Sequence, residues 1–505
     1  MILVHVASLP DDRAQQDPNG RSVCDPAQSL TNTQFLHRVR AAAEHLHDLG
    51  IGTGDVVALR LTNRVEFVVL LFAAWRIGAT ITPVNPSLTQ GEVARQLADA
   101  RARLCVVEDG TAAEGQIAAL AVGDLRRTPL GPAAEPVVDA AALALLIYTS
   151  GTTGVPKGVM LDHANLDAMV EMGRQALDVG PSDRCLLILP LFHVNGIVVS
   201  VLIPLAAGAS VAIAERFHPH TFFDLVEAER PTYFSAVPTI YAMLAALPAQ
   251  VVPDTSSIRY AVCGAAPAPA ELLARFEDRF GFPMVEGYGL SEATCGSTIN
   301  PVAGPRRAGT VGLPFPGQEV RVLTADGTEA PTGTDGEVVV RGANVMRGYL
   351  GRAEATAAVL IDGWLHTGDV GHFDSDGYLT LVGRSKDMII RGGENIYPKE
   401  IEDVLAADPG VLEAAVIGVP DPVWGEVVVA YVQAAPGRII DTDRLQKHCV
   451  ASLSGYKRPV AIHVLDTLPR NAVGKIAKAA LRHAHTSSTP PALTKPPETT
   501  AQKAD

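Results

Sequence analysis

Apolar and polar positions alternate along this chain at two periods. From Phe35 to Leu49 the apolar residues fall at helical spacing and stop at Gly50, a residue suited to a helix C-cap. Val56 to Leu61 is an apolar run of strand length. Glu66 to Ile77 is a second helical stretch closed by Gly78, and Thr80 to Val84 a second strand. Glu92 to Ala100 and Leu104 to Val107 repeat the alternation, and Ala142 to Ile147 is a buried strand followed by a Gly-rich turn. Beyond the turn the pattern predicts strand Val159 to Leu161, helix Asn165 to Leu177, strand Cys185 to Leu189, helix Phe222 to Glu229, strand Tyr233 to Val237 and helix Ile240 to Leu247. Strand Ile258 to Val262, helix Ala270 to Phe280 and a short strand Met284 to Glu286 follow. This rhythm predicts a mostly parallel sheet covered by helices.

The texture then changes twice. From Gly309 short strands with hairpin signals appear, at Asp326-Gly327, Asp335-Gly336 and Asp376-Gly377, with one helix around Glu354 to Leu360. From Gly383 a compact α/β piece is predicted: strand Met388 to Ile390, helix Pro398 to Ala407, strands Ala414 to Val419 and Val427 to Val432, helix Thr442 to Ala451, and strand Ala461 to Leu465. Residues 486–505, rich in Pro, Thr and Ser, read as a disordered tail.

The turn after Ile147 carries candidate chemistry: Tyr148-Thr149-Ser150-Gly151-Thr152-Thr153-Gly154-Val155-Pro156-Lys157-Gly158. Its glycines let the backbone approach a ligand, and its hydroxyls and lysine are donors that suit an anion. Turns of this composition often bind nothing; the length and order of this one point to phosphate. The kinase and ATPase loop is excluded, because Pro156 precedes the lysine, Gly158 replaces the Ser/Thr for magnesium, and a strand rather than a helix follows.

Composition narrows the picture. A chain of 505 residues exceeds one hydrophobic core, so two or more domains are expected. A net charge of −14 argues against a nucleic-acid surface. The six cysteines, Cys24, Cys105, Cys185, Cys263, Cys295 and Cys449, lack metal-site spacing and read as reduced thiols. No charged side chain occurs from Cys185 to Ala214, a length that could span a bilayer, yet Pro190, Gly196, Pro204 and Gly208 break it into core-sized pieces. No signal peptide is evident at Met1 to His5, so a cytoplasmic enzyme without a transmembrane segment is expected.

Five motifs in order complete the constellation: the Tyr148 to Gly158 loop; Gly287-Tyr288-Gly289-Leu290-Ser291-Glu292; Gly363-Trp364-Leu365-His366-Thr367-Gly368-Asp369; Gly383-Arg384-Ser385-Lys386-Asp387 with Gly392-Gly393-Glu394-Asn395; and Leu468-Pro469-Arg470-Asn471-Ala472-Val473-Gly474-Lys475. Together, from about Phe35 to Leu481, they resemble the adenylate-forming (AMP-binding) superfamily in its acyl-CoA synthetase branch. The resemblance implies an α/β fold: a large N-terminal domain, residues 1–384, with two doubly wound lobes and a small antiparallel barrel-like part, and a small mobile α+β domain, residues 385–485. It implies that a carboxylate attacks the α-phosphorus of ATP to give an acyl-adenylate and pyrophosphate, after which the thiol of coenzyme A takes the acyl group and AMP leaves.

Residue by residue, the resemblance assigns the β- and γ-phosphates to Thr149, Ser150, Gly151, Thr152, Thr153, Gly154 and Lys157, and Mg2+ to Glu292 with Thr149. Tyr288, flanked by Glu286, Gly287 and Gly289, would stack on adenine, with Gly264, Ala265 and Ala266 on its other face. Ser291 stands where the family usually has Thr and would meet the α-phosphate. Asp369 would take the ribose hydroxyls, Arg384 the ribose or phosphate, and Lys475 would bridge carboxylate and phosphate during adenylation. Lys386 would be the hinge. Coenzyme A would lie on Trp424 and Tyr456, with Lys457 and Arg458 at its phosphates and Gly393 beside pantetheine.

By family position the acid pocket would involve His193, Asn195, Gly196, Tyr233, Val237, Gly264 and Gly287, with His193 as gate or carboxylate contact. No Lys or Arg is in this set, which favours an acid with an apolar body. Two other readings remain: transfer of the acyl group to a carrier-protein phosphopantetheine or another nucleophile, and a non-catalytic nucleotide-binding protein. The oligomeric state is not legible.

Overall fold

The computed structural model describes residues 5–111, 117–131, 135–149, 156–266, 268–470 and 475–487. By its contacts the chain divides into two units: Met1–Lys386 with Ala472–Lys475, and Asp387–Asn471 with Ile476–Asp505.

The first unit holds two sheets of the predicted type. One runs, in spatial order, through Leu313–Pro314, Thr298–Ile299, Met284–Tyr288, Tyr260–Cys263, Tyr233–Ala236, Arg184–Leu187, Ser210–Ile213, Arg21–Asp25 and Gln28–Thr31. Its central pairings are parallel and those at its two ends antiparallel. The other runs Gly348–Tyr349, Lys157–Asp162, Leu143–Thr149, Thr80–Pro83, Val56–Arg60, Ala102–Val107 and Ala118–Ala121. A third, antiparallel sheet takes Glu319–Leu323, Gly336–Arg341, Trp364–Phe373 and Leu360–Ile361, with Leu379–Arg384 paired to Trp364–Phe373.

Local chemistry explains the element ends. Helix Asn32–Asp48 opens with a capping box between Thr31 and Gln34 and is followed by Gly50 at φ +81°. Helix Ala270–Phe280 buries Leu272, Leu273, Phe276 and Phe280 on one stripe and stops at Gly281, φ +77°. Helix Val65–Arg76 is buried on every side, so its two charges are matched: Glu66 by Arg38 and Arg64, Arg76 by Asp11.

The uncharged stretch resolves as sequence punctuation suggested. Strand Arg184–Leu187 is followed by helical segments from Val194 to Ala206, including a π turn at Val198–Leu202, and then strand Ser210–Ile213. Among the described residues no helix is long and apolar enough to cross a membrane. All six cysteines are free thiols, five of them buried.

Several elements were not read from the sequence. The hairpin Arg21–Asp25/Gln28–Thr31 is too short for a period to show; Asp25 closes it by accepting from the amides of Ala27 and Gln28. Strand Ser210–Ile213 was hidden inside the continuous apolar run.

The second unit is a mixed sheet of Glu394–Ile396, Ile389–Arg391, Gly425–Ala434 and Val411–Asp421, with Ala461–Leu465 parallel to Gly425–Ala434. Helices Pro398–Ala406 and Thr442–Ser452 supply Ile401, Leu405, Leu445 and Cys449 to its core. Helix Lys478–Ser487 runs two residues into the stretch expected to be a tail, a correction at its start; residues 488–505 lie outside the described residues.

Candidate active site

The phosphate-loop candidate is the turn of a hairpin: Leu143–Thr149 pairs antiparallel with Lys157–Asp162, Tyr148 facing Gly158 and Thr149 facing Lys157. Ser150, Gly151, Thr152, Thr153 and Gly154 lie outside the described residues. Both feet are anchored. The Tyr148 hydroxyl donates to Asp99 Oδ2 at 2.8 Å, and Arg352 pairs with Asp99 Oδ1 at 3.0 Å. A Cβ on Gly158 would sit 3.1 Å from the Tyr148 ring, so glycine lets the ring lie across the strand. Lys157 Nζ lies 4.8 Å from the centroid of Tyr349, whose hydroxyl donates to Glu292 Oε1 at 2.9 Å. Burial, with the Glu292 charge, pushes the Tyr349 phenol pKa up.

Two strand ends of the large sheet open beside this cluster. Tyr260–Cys263 runs into Gly264, Ala265 and Ala266, and Ala265 is held at φ +68°. Such a backbone costs an alanine roughly 1–2 kcal/mol and leaves both alanines exposed. Met284–Tyr288 carries Glu286, buried, with Oε1 accepting from Ala268 N at 3.0 Å. A Cβ at Gly289 would fall 1.6 Å from the Cys295 carbonyl oxygen, so only glycine fits there. Ser291 and Glu292 follow in a single 3-10 turn, both half-buried.

The antiparallel sheet supplies Asp369 and Arg384, directly opposite each other across paired strands. Arg384 Nε meets Asp369 Oδ1 at 2.6 Å, and the Tyr288 hydroxyl donates to Oδ2 at 2.7 Å. Burial would lower the Arg384 pKa, yet the charge of Asp369 raises it above the ordinary value. Burial first, then Asp369, lifts the Tyr288 phenol well above its usual range. Lys475 is grouped with this unit. It keeps accessible surface, but the protein packed about its ammonium, and then the like charge of Arg384, lower its pKa; Asp369 and Glu292 oppose the shift.

The expected acid-pocket residues divide. His193 and Asn195 are half-buried at the start of the helical stretch, His193 against Phe192 with centroids 4.5 Å apart, and Ser235 Oγ donates to Asn195 Oδ1 at 3.1 Å. Val237 is half-buried at a helix start, and Gly264 and Gly287 adjoin: a Cβ on Gly264 would lie 3.4 Å from the Gly287 carbonyl. Two are corrected. Tyr233 has no exposed surface, donates to the Val199 carbonyl at 3.1 Å and stacks on Tyr260, so it is core. Gly196 is buried and small for packing, since a Cβ there would meet the Pro190 carbonyl at 2.7 Å.

In the second unit, Trp424 is 51% and Tyr456 38% exposed. Arg391 joins them: its guanidinium lies 5.7 Å from the Trp424 ring and its Nη1 donates to the Tyr456 carbonyl at 2.7 Å. Gly392 and Gly393 adopt φ +61° and +90°, with open space around Gly393. Lys457 pairs with Glu400 at 2.7 Å, and Arg458 donates to the carbonyls of Leu453 and Val450, so both expected phosphate contacts are engaged within the protein. Arg391 and Tyr349 were not singled out from the sequence. Arg391 directly precedes the Gly-Gly motif, which is a usable signal; nothing local marks Tyr349.

Comparison with known proteins decides the family. The AMP-binding enzyme model matches residues 10–350 and the AMP-binding enzyme C-terminal domain residues 400–475. A feruloyl-CoA synthase of Amycolatopsis is 41% identical over 94% of this chain and 98% of its own, and a sulfoacetate–CoA ligase of Cupriavidus necator 37% over 95% and 96%. Among solved structures, o-succinylbenzoate CoA synthetase of Bacillus subtilis with its acyl-adenylate superposes with TM-score 0.86 at 31% identity, covering 94% of this chain and 98% of that one. The chain belongs to the AMP-binding enzyme family.

Within that family it is an AMP-forming acid–CoA ligase, using ATP, Mg2+ and coenzyme A. The residues fit the metal. Glu292 Oε1 accepts from the Tyr349 phenol, and no described residue lies within ion-pair distance of the carboxylate, though the charges of Arg384 and Lys475 act on it from farther off; its second hard oxygen suits a cation. The half-buried hydroxyl of Thr149 ends the strand paired to Lys157.

Proposed function

We propose that this ligase activates a carboxylic acid with an apolar body, and that the residues above divide the work as follows. Lys157 and residues 149–154 hold the β- and γ-phosphates as pyrophosphate leaves; Glu292 and Thr149 hold Mg2+, which neutralises phosphate charge when bound. Tyr288, between Glu286, Gly287 and Gly289, faces adenine opposite Gly264, Ala265 and Ala266. Asp369 orients the ribose, with Arg384 beside it, and Ser291 and Lys475 meet the charge that develops between carboxylate and α-phosphate. The acid's oxygen forms a bond to the α-phosphorus as the bond to pyrophosphate breaks. The coenzyme A thiol then attacks the acyl carbonyl, AMP departs, and the thiol proton goes to solvent. Trp424, Tyr456 and Arg391 receive the coenzyme A adenine, Gly393 gives pantetheine passage, and Lys386 is the hinge between the two steps.

The observation that carries the reading is a pair of linked groups: Lys157 and Glu292 joined through Tyr349, and Tyr288, at a strand end that opens into a glycine-containing turn, joined to Asp369 and Arg384. The acid class is supported by the residues beside the turns, His193, Asn195, Val237, Gly264 and Gly287, which include no Lys or Arg. The feruloyl-CoA synthases at 41% identity act, by name, on an aromatic acid. Ferulate and other arylpropenoic acids are therefore the first to assay. We place its action in the cytoplasm, where both ATP and coenzyme A are supplied.

The test is a panel of carboxylic acids scored for acid-dependent pyrophosphate release, with and without coenzyme A. Apolar or aromatic acids should give AMP, pyrophosphate and acyl-CoA in equal amounts with no carrier protein present. Preference for small dianionic acids would contradict the acid class; turnover only with a carrier protein would contradict the acceptor.

A further inference from the structure

None of the five motifs contains Tyr349, yet it lies between two of them. Its hydroxyl donates to Glu292 Oε1 at 2.9 Å, and Lys157 Nζ sits 4.8 Å from its ring centroid. The contacts of its neighbours make the same connection through the backbone. Met346 N donates to the Glu292 carbonyl, and Leu350 N to the Gly158 carbonyl next to Lys157, both at 2.8 Å. Tyr349 is itself fixed: it is 8% exposed, pairs with Val159 across the strands, and its amide donates to Thr356 Oγ1 at 2.9 Å. Residues 346–350 thus hold Glu292 at main chain and side chain, and hold the foot of the phosphate loop as well.

We infer that Tyr349 is a positioning residue that sets the Glu292 carboxylate for the metal and keeps it in register with Lys157. The inference rests on the reading of Glu292 as the Mg2+ ligand. A half-buried carboxylate with one oxygen bound to a rigid donor no longer swings about its terminal bond, so its second oxygen has a defined direction. The donor must be neutral: an arginine or lysine in its place would cancel the charge the cation needs, whereas a phenol orients the carboxylate without neutralising it. The ring serves Lys157 in parallel, since a cation over an aromatic face is held without losing its donors. A buried tyrosine could instead simply be satisfying its hydroxyl, and a metal readout separates the two roles.

The test uses the full-length protein with Mn2+ as a paramagnetic probe in the presence of a non-hydrolysable ATP analogue. Tyr349→Phe, which keeps ring and packing, should weaken Mn2+ binding by about tenfold. It should also raise the Mg2+ concentration for half-maximal pyrophosphate release by a similar factor, with kcat largely recovered at saturating Mg2+. Tyr349→Leu, which also removes the ring beneath Lys157, should add a loss of pyrophosphate affinity. Wild-type Mn2+ affinity in Tyr349→Phe overturns the inference, and a lowered melting temperature alongside it assigns the residue to packing. Wild-type Mn2+ affinity in Glu292→Gln overturns both the inference and the metal reading beneath it; loss there with retention in Tyr349→Phe overturns the inference alone.

Discussion

Asp369 and Glu292 are both carboxylates of the candidate nucleotide site, and the protein treats them in opposite ways. Asp369 has 7% of its side chain exposed, faces Arg384 directly across a strand pair and takes the Tyr288 hydroxyl on its other oxygen. Glu292 is half-buried and receives one neutral phenol. A carboxylate whose charge is matched within the fold can give its remaining lone pairs to neutral hydroxyls, as a ribose requires. A carboxylate that no described residue meets at ion-pair distance keeps an oxygen for a cation from outside. The difference lies in the partner, not in the acidic residue.

The largest expected effect concerns the cation at the same site. Lys475→Ala should cut acid-dependent pyrophosphate release on the order of 100- to 1,000-fold while sparing thioester formation from supplied acyl-adenylate. Equal loss of both steps would remove Lys475 from its role. Its ammonium pKa lies below the ordinary 10.5, so the charge that adenylation needs is lost as pH rises through a point under that value. The alkaline limb of pyrophosphate release should move upward in Lys475→Arg, because a guanidinium stays charged.

Asp369→Asn should sharpen the contrast between the carboxylates. It strips the matched partner from Arg384, so stability should fall by about 1–3 kcal/mol, with weaker ATP binding; an unchanged melting curve would mean the pair is not structural. Gly196→Ala, whose new Cβ would meet the Pro190 carbonyl at 2.7 Å, should lower stability by ~1–3 kcal/mol and leave acid preference as it was. A changed acid preference at full stability would assign Gly196 to the pocket rather than to packing. The smallest effect is expected in the second unit. Trp424→Ala should raise the KM for coenzyme A about tenfold without altering pyrophosphate release, and loss of the first step instead would contradict its assignment.

The sequence made the alternating α/β elements legible because each carries its own period and its own stop. Helix Phe222–Glu229, helix Ala270–Phe280 and strand Ala461–Leu465 match their expected bounds. What it hid were elements without a period: the short Arg21–Asp25 hairpin, and Ser210–Ile213, where strand and helix share one apolar run. The site follows the same division. Glu292, Asp369 and Arg384 stand in motifs and were visible, whereas Tyr349 and Arg391 enter the proposed site only through what the fold brings beside them. That Tyr233 has no exposed surface and stacks on Tyr260 was not legible in the sequence, where an aromatic beside a pocket motif looks the same whether it is buried or lining.

The contrast between matched and unmatched carboxylates is tested most directly by measuring Glu292→Gln and Asp369→Asn side by side, recording the thermal melt and the Mg2+ dependence of acid-driven pyrophosphate release for each. Glu292→Gln is predicted to melt like the wild type, since its amide oxygen still accepts from Tyr349, and to need far more Mg2+. Asp369→Asn is predicted to melt earlier with an unchanged Mg2+ requirement once ATP is saturating. Glu292→Gln that melts as early as Asp369→Asn and keeps the wild-type Mg2+ dependence would contradict the account.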